Sequence, residues 1–232
     1  MPSDITQRAR RGRKRMTSSE RRQQLITVAR GLFAQKGLEG TSVEQIAARA
    51  QVSKPVVYEH FGGKEGLYAV IVDREMHSLE DAIHKALAAP VDGYRAVIES
   101  AAMAMLDYID RCPDGFRIIS RDSASGSSGS TFASILSDIT ARVEDLLIVS
   151  LEKRGYDPYL GHVFAQGLVG MIAHAGLYWL DERQPPKDEL GAQLANLAWN
   201  GLAHLEHDPQ LCSSVVEARR PDMTQCLHEN PA

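Results

Sequence analysis

Eighteen consecutive residues, 163–180 (VFAQGLVGMIAHAGLYWL), carry no formal charge. A helix built from them has no charged face to turn toward water, so it must be covered, either by lipid or by other helices. Gln166 and His174 interrupt the run, and Gly167, Gly170 and Gly176 dilute its hydrophobicity, which weakens the membrane reading. The expectation is a helix buried on nearly all sides inside a helical domain, with no membrane partner. The chain can supply such a domain, because 44% of its 232 residues are hydrophobic. Its three cysteines, at 112, 212 and 226, are odd in number, widely spaced and without a CxxC pair. That suits a reducing cytoplasm and argues against a disulfide framework or a zinc knuckle. The N-terminus is basic with no apolar stretch behind it, unlike a signal peptide.

The net charge of −4 hides a division. Residues 1–66 hold 13 Lys/Arg against 6 Asp/Glu, and residues 67–232 hold 13 against 24. A basic head on an acidic body is drawn to a polyanion by the head and repelled by the body. For a small basic module that polyanion is nucleic acid. The charge is densest at RARRGRKRM (8–16), six cations in nine residues, which cannot pack and is expected to form a flexible arm. Either it is a solvated tail, or Arg11, Arg13 and Arg15 lie along phosphates or in a minor groove.

Apolar spacing reads as helix throughout, with no convincing strand pattern and no internal repeat. In 17–37, Leu25, Ile26, Ala29, Leu32 and Phe33 recur at spacings of three and four, and Gly37 closes the helix. Residues 41–50 open with Thr41 and Glu44, the T-x-x-E pattern of a capping box. Ser53 or Lys54 caps the next short helix, whose first turn holds Pro55, where a missing N–H costs nothing. Val57 and Phe61 then point inward, and Pro55, Tyr58 and Glu59 outward. After Gly62-Gly63, a helix over 64–87 spans roughly 36 Å, a strut between head and body. Further helices are predicted at 92–111, 115–122, 131–154, 158–182 and 187–206, with a loop at SASGSSGS (123–130). The predicted fold class is all-α. An N-terminal three-helix, helix-turn-helix domain (17–66) follows the arm (1–16), a long helix joins it to an all-helical domain (67–208), and a polar tail (209–232) ends the chain.

Two short helices joined by a tight turn form a helix-turn-helix, whose second helix presents its first residues to base edges in the major groove. Lys54 can reach guanine acceptors or phosphate, and Pro55 offers a flat apolar edge to a thymine methyl. Tyr58 and His60 can donate to phosphate, and Ser53, Val56 and Glu59 complete the candidate DNA-binding residues of this helix. Lys64 and the amides after Gly63 make a candidate anion site at a helix start. Thr41 and Ser42 are candidate phosphate contacts from the first short helix.

These residues occur in a recognisable order: Gly37-Leu38-Glu39-Gly40-Thr41-Ser42, Ile46-Ala47, Val52-Ser53-Lys54, Tyr58-Glu59-His60-Phe61 and Lys64-Glu65-Gly66-Leu67. Over about residues 18–68 the pattern resembles the TetR family of bacterial transcriptional repressors. Many members carry glycine where Gln51 stands, at a left-handed turn position. Glutamine there costs roughly 1–2 kcal/mol. Glycine is also common at Pro55. Both departures touch the base-reading edge, so the resemblance does not give the operator sequence.

The resemblance implies an all-helical ligand-binding and dimerisation body, and hence a homodimer on palindromic double-stranded DNA. Small residues at Gly167, Gly170, Ala173 and Gly176, then Ala195, Ala198 and Gly201, permit close helix approach. Leu194, Leu197, Leu202 and Leu205 add an apolar stripe, so the last two helices of each subunit could build a four-helix interface. Met103, Phe116, Ile119, Phe132, Leu136, Phe164, Leu168, Met171 and Tyr178 are either ordinary core or the lining of a cavity for a lipophilic small-molecule effector. His174 is either a core or interface histidine or a ligand contact. The last two helices also look similar to actinobacterial regulators that respond to lipids or acyl-CoA. No cofactor is expected.

Three rivals stand beside the ligand-responsive repressor. Catalysis is disfavoured, since SASGSSGS lacks G-x-S-x-G and has no preceding strand. A metal-responsive regulator would use His204, Glu206, His207, Asp208 and Cys212; helix-end histidines in a favourable dipole are the alternative reading. An architectural DNA-binding protein would use the arm without sequence choice.

Overall fold

The computed structural model describes residues 16–90, 93–122 and 132–211. The basic arm with Arg11, Arg13 and Arg15, the 123–130 loop, the Phe132 side chain and the tail beyond 211 lie outside the described residues. Nine helices and no strand are found among them. They are α1 (Ser18–Lys36), α2 (Val43–Ala50), α3 (Lys54–Phe61), α4 (Lys64–Ala88), α5 (Tyr94–Arg111), α6 (Pro113–Asp122), α7 (Phe132–Lys153), α8 (Leu160–Glu182) and α9 (Lys187–Ala203). The fold is all-α, with a helix-turn-helix head and a helical body.

The head is set by its helix ends. Thr17 caps α1 reciprocally with Glu20: its hydroxyl accepts from the Glu20 N–H at 3.2 Å, and its own N–H donates to Glu20 Oε2 at 2.7 Å. Gly37, with φ of 72°, ends the helix. The cap of α2 sits one residue later than the T-x-x-E pattern predicts. Ser42 is the N-cap and exchanges hydrogen bonds with Gln45. Thr41 is instead 2% exposed and spends its hydroxyl on the Gly37 carbonyl at 2.8 Å. Gln51 closes α2 in the left-handed region (φ 55°, ψ 45°), as expected from its place in the turn. Ser53 precedes α3, and Pro55 falls in its first turn.

Leu25, Ile46, Ala50, Val57 and Leu67 are fully buried in one core that joins α1, α2, α3 and the start of α4. Phe33 and Tyr68 meet edge to face with centroids 5.1 Å apart. Arg22 pins the end of α3, donating to the His60 carbonyl at 3.0 Å while its guanidinium covers Phe61 at 4.4 Å. Gly66 marks the tightest point, because a Cβ there would lie 2.0 Å from the Phe61 carbonyl oxygen. A backbone atom cannot swing away as a side chain can. Gly66→Ala is therefore expected to cost about 1–3 kcal/mol and to displace α3. Thermal unfolding and head-domain amide shifts would show both effects, and an unchanged melting point would refute the prediction.

The head core does not stop at residue 66. Ile71 and Val72 of α4 and Ile118 of α6 belong to it. Phe116 and Ile119, on the same short helix as Ile118, belong to the body core with Leu79, Ile83, Leu106, Tyr108 and Ile109. Thus α6 is shared between the two cores. Its charged residues follow the same division: Arg121 donates to the Ala34 carbonyl of α1 at 2.6 Å, and Arg117 pairs with Asp181 of α8.

Helix α8 contains the charge-free run and is long and apolar enough to cross a membrane by length and composition alone. The expectation that it is buried on nearly all sides fails in the single chain. Its inner face, with Ala165, Val169, Ala173 and Gly176, packs inward, but Val163, Gly167, His174 and Tyr178 are exposed. The small residues divide in the same way. A Cβ on Gly176 would lie 2.7 Å from Ile109, so that glycine serves contact within the chain. Gly167, Gly170 and Gly201 have nothing within 4 Å of a Cβ. Ala173, Ala195, Ala198 and Leu194 are buried within the chain and are not part of an outer stripe.

Candidate DNA-contact surface and candidate effector cavity

Helix α3 leaves Ser53, Lys54, Pro55, Tyr58 and Glu59 exposed. Tyr58 keeps 54% of its surface, a large fraction for an aromatic residue on a helix otherwise held against a core. The hydroxyl of Ser53 makes no capping bond. Lys54 reaches back to Glu44 of α2 at 2.5 Å, with both side chains more than half exposed. The lysine hydrogen bond is the largest cause holding the Glu44 carboxyl down at about 2. The outward face thus carries a paired ammonium and carboxylate, where the sequence reading had a lone cation and a cap residue. No spacing rule could have matched Glu44 with Lys54, because they meet across the turn between two helices.

Other candidates take internal roles. Thr41 cannot present its hydroxyl to a phosphate, being buried and bonded to Gly37. Ser42 is half-buried and its oxygen accepts from Gln45. Val56 is partly buried against the head core. His60 is half-buried beside Phe61, with its carbonyl accepting from Arg22. The Lys64 ammonium is turned to the Leu38 carbonyl at 3.1 Å, with Glu39 at 3.9 Å, so it braces the loop before α2. The Glu65 carboxylate lies close to Gly63. The start of α4 is therefore already supplied with internal partners, and the anion site expected there is not formed.

The body encloses a cavity of about 440 Å³ between α4, α5, α7, α8 and α9. Its walls are branched aliphatics with few polar groups, among them Ile83 and Leu87 of α4, Val97 and Met105 of α5, Val143 and Leu147 of α7. Of the ten predicted lining residues, Leu136 and Leu168 face it. Phe116 and Ile119 are fully buried in solid core, and Met103 packs near Gly191 of α9. Phe164 and Met171 are half-buried outside the lining. His174 and Tyr178 are on the outer face of α8, with Tyr178 68% exposed and the His174 ring engaged with its own helix at Gly170. The reason is helical phase: Leu168, Val169 and Ile172 share the face of α8 that lines the cavity, and at about 100° per residue Met171, His174 and Tyr178 lie on the other sides of that helix.

The proposed metal cluster does not assemble. His204 engages the Asn200 carbonyl at 2.9 Å, and His207 stacks on Tyr156 at 4.1 Å. No group of three or more metal-ligating side chains occurs among the described residues; Cys212 lies outside them.

One set of residues escaped sequence reading. Glu75 is buried at the junction of head and body. Its Oε1 accepts from Arg30 of α1 at 3.0 Å, and its Oε2 from the Tyr108 hydroxyl of α5 at 2.8 Å. Gly115 of α6 gives it room, since a Cβ there would lie 2.1 Å from Oε2. Burial and the neighbouring Glu75 push the Tyr108 phenol well above its usual range. Arg30, although partly desolvated, is held above its usual value by Glu75. The signal was present: Leu67, Ile71, Glu75, Leu79 and Ile83 recur every four residues on the buried face of α4. A carboxylate in such a stripe needs partners.

A helix-turn-helix head joined by a long helix to a hollow helical body defines a class, the helix-turn-helix transcriptional regulators. Residues 25–71 match the family model for bacterial regulatory proteins of the tetR family, and residues 82–213 match that for the tetracyclin repressor-like C-terminal domain. The HTH-type transcriptional activator FasR of Mycolicibacterium smegmatis is 31% identical over 194 residues, covering 82% of this chain and 87% of that protein. The HTH-type transcriptional repressor SCO4008 of Streptomyces coelicolor is 31% identical over 87 residues, 38% of this chain and 41% of that one. Among solved structures, a TetR-like transcriptional regulator from Rhodococcus sp. RHA1 superposes with a TM-score of 0.67 at 25% identity, covering 82% of this chain and all of that one. The chain belongs to the TetR family of transcriptional regulators, and it is not an enzyme.

Proposed function

We propose that this protein is a ligand-responsive transcriptional repressor that binds a palindromic operator as a homodimer in the bacterial cytoplasm and is released by a lipophilic effector. One observation carries the reading: α4 lines the apolar cavity at Ile83 and Leu87 and enters the head core at Leu67 and Ile71. Anything that parts the cavity walls moves the element that carries the head. Ligand changes operator affinity only through a difference in its affinity for the two head positions.

The DNA-contact residues of this reading are Ser53, Lys54, Pro55 and Tyr58 of α3, with Glu59 beside them. The twofold partner covers the bare face of α8 and α9, where Val163, Tyr178 and Leu197 are exposed. A second copy, and not lipid, is the occupant that a palindromic operator requires. FasR is named an activator, so a second reading keeps the same binding and reverses its sign according to where the operator lies relative to the promoter. A reporter carrying the operator at its native spacing separates the two.

The test of DNA contact is a duplex selected in vitro by the purified protein. Tyr58→Ala is expected to lower operator affinity about tenfold or more with an unchanged melting point, because the ring is exposed. Equal affinity for selected and unrelated duplex at rising salt would instead favour an architectural binder.

A further inference from the structure

Wherever the Lys54 ammonium reaches, the Glu44 carboxylate goes with it. Lys54 is the first residue of α3 and Glu44 the second of α2, and Nζ meets Oε1 at 2.5 Å. Ile46, Ala47, Ala50 and Val57, all buried in the head core, anchor both helices beneath the pair. The turn between the helices is set at Gln51, in the left-handed region. The pair therefore stands on rigid elements, while both side chains remain more than half exposed.

An ion pair this exposed adds little to the stability of the fold. It also adds little to non-specific DNA affinity, because the lysine charge is cancelled locally before it meets a phosphate. A carboxylate on a surface that faces a polyanion is unfavourable unless something there donates to it. Phosphates offer no donor. Base edges do, through the exocyclic amino groups of cytosine and adenine. The lysine hydrogen bond is the main cause holding the Glu44 carboxyl at about 2, so at neutral pH it is ionised and only accepts. Lys54 keeps two of its three N–H donors after the bond to Glu44.

This donor and acceptor are spaced like the edge of one base pair. In the major groove, guanine O6 and cytosine N4 lie about 2.9 Å apart, the length of the N–H···O bond that joins them. Guanine accepts at O6 and at the neighbouring N7, and cytosine N4 turns its second N–H into the groove. We propose that Glu44 and Lys54 act as one unit that selects a G·C pair in each half-site, with Lys54 donating to guanine O6 and N7 and Glu44 accepting from cytosine N4. This rests on the reading that α3 enters the major groove, where its first residues meet base edges. The reversed pair, C·G, sets the carboxylate against guanine O6 and N7. T·A keeps the order of acceptor and donor, but thymine offers the lysine only O4, and adenine N7 then crowds the carboxylate. Glu44 is thus a specificity-determining residue supplied by α2, the helix that precedes the one inserted in the groove.

The test is in vitro selection from random duplexes by the full-length protein and its variants, followed by titration of duplexes that differ at single positions. The wild type is expected to prefer G·C over C·G by about tenfold or more at one position of each half-site. Glu44→Ala is expected to lower that preference to less than about twofold, to leave the other positions unchanged and to bind unrelated duplex at least as tightly as the wild type does. Glu44→Gln is expected to shift the same position toward T·A, since an amide can bond adenine N6 and N7 together. An unchanged base preference in either variant overturns the proposal while the operator reading stands. A uniform loss at every position with a lowered melting point also overturns it, and marks the pair as a brace between α2 and α3. If the wild type enriches no sequence, the operator reading itself fails and this proposal falls with it.

Discussion

Glu75→Ala is expected to lower the stability of the folded chain by about 2–3 kcal/mol, most of it from the lost charge-assisted hydrogen bond between the Tyr108 hydroxyl and the Glu75 carboxylate. Tyr108 is almost wholly buried, so the lost acceptor cannot be replaced by bulk water. Its second contact, to the Glu75 backbone carbonyl at 3.1 Å, survives and limits the loss. The Arg30 pair adds less, because that guanidinium is about one-third exposed and recovers hydration. For a chain of this size the change corresponds to roughly 5–10 °C in melting temperature. Glu75→Gln keeps an acceptor for Tyr108 and is expected to lose about half as much. In a double-mutant cycle, Glu75→Ala and Tyr108→Phe should be non-additive by about 1 kcal/mol. Additive losses would show that the two side chains do not act together. Hydrogen exchange adds a positional check. Amides of α1 should lose protection more than those of α9, because Glu75 ties α1 to α4 and α5.

The second large effect lies at the opposite end of the body. In the proposed homodimer, Leu197→Arg is expected to leave monomers of 25.5 kDa and to reduce operator affinity by at least 100-fold. Leu197 is 63% exposed in the single chain, so the substitution costs the monomer little, within about 0.5 kcal/mol. Across a twofold axis it places two like charges in an apolar contact, where each would be desolvated without a partner. A monomer engages one half-site and loses the effective concentration that links the two. Light scattering after size exclusion and a band-shift titration would read the two effects. A dimer that persists in Leu197→Arg with full operator affinity removes α9 from the interface.

The head was legible in the sequence to the level of single residues, because its determinants are local. Gly37 ends α1, Gln51 adopts the left-handed turn and Pro55 sits in the first turn of α3, all as expected from positions that backbone sterics restrict. Even there, the choice between Thr41 and Ser42 as cap was decided by packing. Thr41 is drawn into the core and bonded to Gly37, which leaves Ser42 at the helix start. The body was legible only as a set of helices. Phe116 and Leu136 were alike candidates for core or cavity, yet one is solid core and the other faces a void. Spacing reports that a residue avoids water and is silent on what fills the space opposite.

Sequence alone therefore determined that this chain is helical and that it carries a helix-turn-helix at its basic end, since these follow from backbone preference, periodicity and charge within a few residues of one another. Only the tertiary structure decided that Glu75 joins head to body, that Lys54 is held by Glu44, and that an apolar cavity lies between α4, α5, α7, α8 and α9. Each depends on side chains far apart in the chain or on separate helices. Their meeting is set by how whole helices pack, and no local rule contains that information.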